Sequence, residues 1–181
     1  MVQERHNPKR RQLFAESRLV SEYLAERYPG AQWFLNLRIG ATEQMAGVDL
    51  TDPGVVGLVR NRNRYADAVV VTPTELIVIE GTMWRADAKV GQLQGYLLIV
   101  RFTPALQPYL DRPIRGELIT GQHDPLAEKI AERAGIRYVH YEPAWIDDFY
   151  AIYPDRKRKA PHIGANLAPS TSPDDSDLAT A

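Results

Sequence analysis

The stretch Tyr65-Ala-Asp67-Ala-Val-Val-Val-Thr72-Pro73-Thr74-Glu-Leu-Ile-Val-Ile-Glu80-Gly-Thr82 decides the fold. Two runs rich in Val and Ile flank Thr72-Pro73-Thr74, the pattern of a β-hairpin. A turn centred between Pro73 and Thr74 sets Asp67 opposite Glu80. Their side chains then share a face, with Cβ atoms roughly 5 Å apart. Two carboxylates that close repel each other unless a positive charge lies between them. A magnesium or manganese ion, which favours oxygen ligands, supplies such a charge. The plainer reading is a charged pair at the solvated end of a hairpin. Spacing alone does not choose between the two.

Outward from the hairpin, the elements alternate in a readable order. Phe14 to Tyr28 carries Leu19, Val20, Tyr23 and Leu24 at helical spacing and is stopped by Pro29-Gly30. Trp33 to Ile39 alternates as a strand. The stretch 40–57 is loop-like, with Gly47, Asp49, Asp52, Pro53 and Gly54. After the hairpin a helix is expected over Asp87 to Arg101, then an irregular connection marked by Pro104, Pro108 and Pro113. Gly116 to Thr120 is a short buried strand. Asp124 as N-cap and Pro125 at the first helical position open a third helix, closed by Gly135. Ile136 to Tyr141 is the next strand, and Pro143 to Tyr153 a terminal helix.

Strand–helix–strand connections imply parallel pairing with right-handed crossovers, whereas the hairpin is antiparallel. The expected fold class is therefore α/β, with a mixed sheet and helices on both of its faces. Residues 1–12 read as a basic arm with Arg5, Lys9, Arg10 and Arg11, residues 13–153 as the α/β domain, and residues 154–181 as an extended tail.

Composition narrows the function classes. The 181 residues contain no cysteine, which excludes disulfides, thiolate metal sites and cysteine nucleophiles. No run of eighteen apolar residues marks a membrane span, and the polar N-terminus is neither signal peptide nor anchor. A cytoplasmic or virion-interior location is expected. The net charge of −1 conceals basic clusters, the second being Arg156, Lys157, Arg158 and Lys159. Contact with DNA, or with protein partners through the tails, is compatible with that distribution. No Gly-rich phosphate loop, G-x-S-x-G elbow or H-E-x-x-H is present. His6, His123, His140 and His162 are scattered.

Arg85, Lys89, Gln92 and Tyr96 follow i, i+4, i+7, i+11 and make one polar stripe, and Val90, Leu93, Leu97 and Val100 an opposing apolar one. The polar stripe either overhangs Glu80 or forms a solvated face. A metal held by Asp67, Glu80 and the Gly81 carbonyl would have Lys89 and Gln92 beside it. Glu16 is a candidate third carboxylate or a surface residue. Arg60, Arg62 and Arg64 alternate along an extended segment and suit phosphate oxygens, or ion pairs with Asp49 and Asp52. Trp84 is a candidate base-stacking platform or a core residue.

The element order, Asp67 and Glu80 together resemble the PD-(D/E)xK nuclease superfamily, with its restriction-endonuclease-like αβββαβ core. Gln92-Leu-Gln-Gly-Tyr96 resembles the Q-x-x-x-Y helix motif of its RecB and lambda-exonuclease branch. The resemblance covers about residues 12 to 141. It implies magnesium-dependent cleavage of DNA phosphodiesters. Asp67 and Glu80 match the metal ligands, Gln92 and Tyr96 the helix motif, and Glu16 the first-helix glutamate. One departure stands out. Where that family has E-x-K, this chain reads Glu80-Gly81-Thr82. Losing one preorganised charge costs on the order of 100-fold in rate. Two expectations follow. In the first, catalysis is lost or weakened and the fold serves as a DNA-associated or structural component of an assembly, as in a bacteriophage or mobile element. In the second, Lys89 (or Arg85) replaces the missing lysine in an active nuclease. The missing lysine leans to the first, and an ammonium within about 4 Å of the carboxylate pair would mark the second.

Overall fold

A computed structural model describes residues 8–40 and 65–153, with side chains from residue 12 onward. Arg60, Arg62, Arg64, Asp49 and Asp52 lie outside the described residues, as do the first seven positions and the tail after 153.

The hairpin forms from β2 (Tyr65–Val71) and β3 (Leu76–Thr82). Val71 pairs with Leu76, Val70 with Ile77, Val69 with Val78 and Ala68 with Ile79. One further step of that register sets Asp67 against Glu80. The turn closes because the Thr72 hydroxyl accepts from the backbone N–H groups of Thr74 and Glu75 at 3.3 and 2.9 Å. Pro73 supplies the fixed φ that such a turn uses.

Around the hairpin the chain runs α1 (Pro8–Arg27), β1 (Gln32–Arg38), β2, β3, α2 (Ala86–Ile99), β4 (Ile114–Thr120), α3 (Pro125–Arg133), β5 (Arg137–His140) and α4 (Ile146–Ala151). The five strands lie in sequence order in one sheet. The pairs β1–β2 and β2–β3 are antiparallel, and β3–β4 and β4–β5 are parallel. The expected mixed sheet with helical crossovers is what forms. Asp124 caps α3 as read, accepting from Leu126 and Ala127 N–H at 3.2 Å. Several boundaries differ, among them the terminal helix, which spans Ile146–Ala151 rather than Pro143–Tyr153. The first helix begins at Pro8 rather than Phe14, since Lys9, Arg10, Arg11 and Gln12 are good helix formers and proline suits a first turn. The strand expected from Gly116 begins two residues earlier, at Ile114.

Helices cover both faces. α1 packs on β2 and β3, and α2 on β3 and β4. Two glycines show how close that packing is. A Cβ on Gly116 would meet Leu97 at 3.0 Å and Leu93 at 3.2 Å, on the α2 face. A Cβ on Gly81 would overlap the buried Val20 Cγ2, on the α1 face. Alternation along β3 therefore points Glu80, next to Gly81, toward α2. Gly81→Ala is expected to destabilise the fold by about 1–3 kcal/mol through overpacking, measured by urea denaturation.

No helix among the described residues is long and apolar enough to cross a membrane. Asp147–Ala181 groups as a separate unit. Of it, residues 147–153 are described, where the Phe149 ring meets those of Tyr150 and Tyr153 at 5.5 and 5.3 Å.

Candidate active site

All seven residues of β3 are buried, and Glu80 is fully inaccessible. Its neighbour across the hairpin, Asp67, keeps about a third of its side chain exposed (32%). Between them stands Lys89, one turn into α2. Its Nζ donates to Glu80 Oε2 at 2.5 Å and lies 3.9 Å from Asp67 Oδ2. Asp67 Oδ2 also accepts the Gly81 N–H at 2.8 Å. The observed link of Gly81 to the pair is thus its amide N–H.

The charges set the protonation of this trio. Burial, reinforced by the facing Asp67, pushes Glu80 up to about 8 despite the pull of Lys89. Burial also raises Asp67, against the opposing effects of Lys89 and the Gly81 N–H. Burial works against the Lys89 charge, but Glu80 and Asp67 outweigh it and hold the ammonium above its ordinary value. Lys89 therefore stays protonated across the neutral range, and Glu80 carries the burial penalty. A carboxyl raised from 4.5 to about 8 favours folding below the lower value and loses that contribution as pH rises through the upper one. Stability should fall by on the order of 5 kcal/mol between about pH 4.5 and 8, with Asp67 acting in the same direction. Glu80→Gln should flatten that slope in thermal melts across the same interval.

A contrast elsewhere in the sheet shows why Glu80 is unusual. Glu117 on β4 is equally buried, yet both its oxygens are within reach of the Tyr28 hydroxyl, at 3.0 and 3.2 Å, and Oε2 is 3.4 Å from Arg137. Glu80 Oε1 is buried with no hydrogen-bond partner among the described residues. Buried polar atoms are ordinarily satisfied. An unpaired carboxylate oxygen beside a second carboxylate fits a hard, oxygen-ligated cation. Asp67 and Glu80 are the residues that would hold it.

Glu16 is placed differently. Its Oε1 accepts from Gln12 Nε2 at 3.1 Å and from Thr82 Oγ1 and Met83 N–H at 3.3 Å each. It ties α1 to the end of β3. Among the described residues no three His, Asp or Glu side chains converge well enough to share a metal. Thr82 is itself sealed in: its hydroxyl lies against the Trp84 carbonyl and Glu16 and accepts from Trp84 N–H at 3.1 Å.

The stripe on α2 is not a solvated face. Gln92 donates to Tyr96 OH at 2.7 Å, and Tyr96 donates to the Tyr65 carbonyl at 3.1 Å, two residues before Asp67. Tyr96 is buried along with Val90 and Leu93, while Leu97 is half-buried. Water reaches instead Ala88, Gly91, Gln94 and Leu98. The helix is buried on two adjoining sides because both stripes face protein. Arg85 does stay exposed, at the left-handed N-cap of α2 (φ 58°). Trp84 beside it is half-buried.

Sequence reasoning missed Asn36. It lies in register with Asp67 between the pairs Leu35–Ala68 and Leu37–Ala66, with a φ of 49°. Asparagine tolerates that conformation better than most residues, but nothing in the strand's alternation announces it.

No family model matches the chain, and no curated protein matches it. Among solved structures, the EndoMS–dsDNA2 complex is similar, with a TM-score of 0.42 and 21% identity over 72% of this chain and 44% of that one. This chain thus spans less than half the length of that protein.

Proposed function

We propose that the chain is a divalent-metal-dependent phosphodiesterase acting on DNA, with Lys89 supplying the charge absent from Glu80-Gly81-Thr82. The observation that carries this reading is the Lys89 ammonium, 2.5 Å from Glu80 and 3.9 Å from Asp67. Asp67 and Glu80 would hold magnesium or manganese. Such an ion, when bound, polarises a phosphodiester and lowers the pKa of a coordinated water. Lys89 would offset charge on the scissile phosphate. The Gln92–Tyr96–Tyr65 chain of hydrogen bonds fixes α2, and hence Lys89, against the start of β2. Arg85, exposed at the N-cap of α2, would suit a flanking phosphate, and Arg60, Arg62 and Arg64 would extend that contact.

The second reading, a DNA-associated or structural component of a phage-like or mobile-element assembly with a retired site, has one observation behind it. Glu16 Oε1 and the Thr82 hydroxyl are engaged with each other, with the Gln12 side chain and with backbone. Incubating linear, circular and single-stranded DNA with the protein and magnesium or manganese separates the two. We expect cleavage that Asp67→Ala abolishes. No cleavage of any substrate by the unmodified protein leaves the structural reading.

A further inference from the structure

We infer that Lys89 is the resident counter-ion of the carboxylate pair, so that its ammonium and a divalent cation compete for Asp67 and Glu80, and cation and phosphodiester bind cooperatively. This rests on the reading of the site as a phosphodiesterase centre.

The ammonium occupies the position that a cation shared by the pair would need. Nζ is 2.5 Å from Glu80 Oε2 and 3.9 Å from Asp67 Oδ2. The Asp67 oxygen facing it is further tied to the Gly81 N–H at 2.8 Å. Glu80 Oε1, the other oxygen of the carboxylate that Nζ holds, is buried with no hydrogen-bond partner among the described residues. Sharing both carboxylates requires Nζ to withdraw, because two like charges a few ångströms apart in a buried site repel strongly.

Lys89 is built for that movement. Its side chain is 24% exposed, against none for Glu80, so one end of the site opens to solvent. A four-carbon stem lets the ammonium swing outward while α2 stays fixed. In the absence of phosphodiester, the displaced ammonium exchanges the buried Glu80 and the half-buried Asp67 for water. With a phosphodiester at the mouth it meets an anion instead. Cation and phosphodiester therefore favour each other, and by linkage each raises the other's affinity by the same factor.

The experiment is titration of the full-length protein with manganese, followed by the paramagnetic resonance of free Mn2+. It is run with and without a short DNA oligonucleotide made uncleavable by backbone substitution. Lys89→Met should bind Mn2+ at least about tenfold more tightly than the unmodified protein when DNA is absent. The oligonucleotide should tighten Mn2+ binding severalfold in the unmodified protein and in Lys89→Arg, but not in Lys89→Met. If Lys89→Met does not fold, Lys89→Gln and the DNA-linked change in the unmodified protein carry the test. Equal Mn2+ affinity with and without lysine, or no change on adding DNA, overturns the competition and leaves the phosphodiesterase reading standing. No Mn2+ bound by any form, with or without DNA, overturns both.

Discussion

Lys89→Ala is expected to lower magnesium-dependent DNA cleavage by at least about 100-fold, the usual effect of removing one preorganised charge from a reacting centre. The loss should appear at saturating magnesium and DNA. It then reflects the chemical step rather than weaker loading of the site. Stability should respond less than activity. Breaking a buried ion pair can cost 3–5 kcal/mol when the remaining charge is trapped. Here the cost is reduced, because burial already holds Glu80 well above the ordinary carboxylate range. Lys89 is also partly exposed (24%). A loss of roughly 1–2 kcal/mol in urea denaturation is the expected result. Cleavage by Lys89→Ala at the unmodified rate would reduce Lys89 to a structural counter-ion.

The residues that were legible in the sequence are those whose positions follow from local rules. The register of β2 against β3 depends on where the turn lies, and Thr72-Pro73-Thr74 fixes it, so the Asp67–Glu80 juxtaposition could be read directly. That Lys89 could reach the pair was readable from helical spacing counted from the strand end, but a solvated face fitted the same spacing. Spacing could not decide which sides of α2 are buried. Two stripes are visible in the sequence, and a surface helix normally buries only one. Tyr96 is buried because the start of β2 offers it the Tyr65 carbonyl, a partner thirty-one residues away. The same limit applies to Glu16. Its place on the first helix was readable, but not that Thr82 and the Met83 amide would engage its carboxylate. The left-handed turns at Asn36 and Arg85 had no glycine to announce them.

Whether the element that carries the ammonium matters can be tested by placing a lysine on β3. Thr82 is two residues beyond Glu80 on the same face of β3, so a lysine there would run alongside the Glu80 carboxylate. In the chain as it stands that space already has its ammonium. Thr82 is buried (2% exposed), and its hydroxyl holds Glu16 and the Trp84 backbone. Thr82→Lys alone should therefore cost roughly 2–3 kcal/mol, from lost hydrogen bonds and a second buried cation. Cleavage should fall with it. With Lys89→Ala in the same chain, the outcome should reverse. The new ammonium would meet two carboxylates that have lost their partner, and Glu16 would be near enough to share it. The double variant should recover at least about tenfold of the cleavage lost in Lys89→Ala, since charge at the reacting centre matters more than the element that delivers it. Recovery in the double variant without any gain in Thr82→Lys alone would show that one ammonium, from either β3 or α2, is what this site requires. If the double variant stays as inactive as Lys89→Ala, the position of Lys89 on α2, and not its charge alone, is essential.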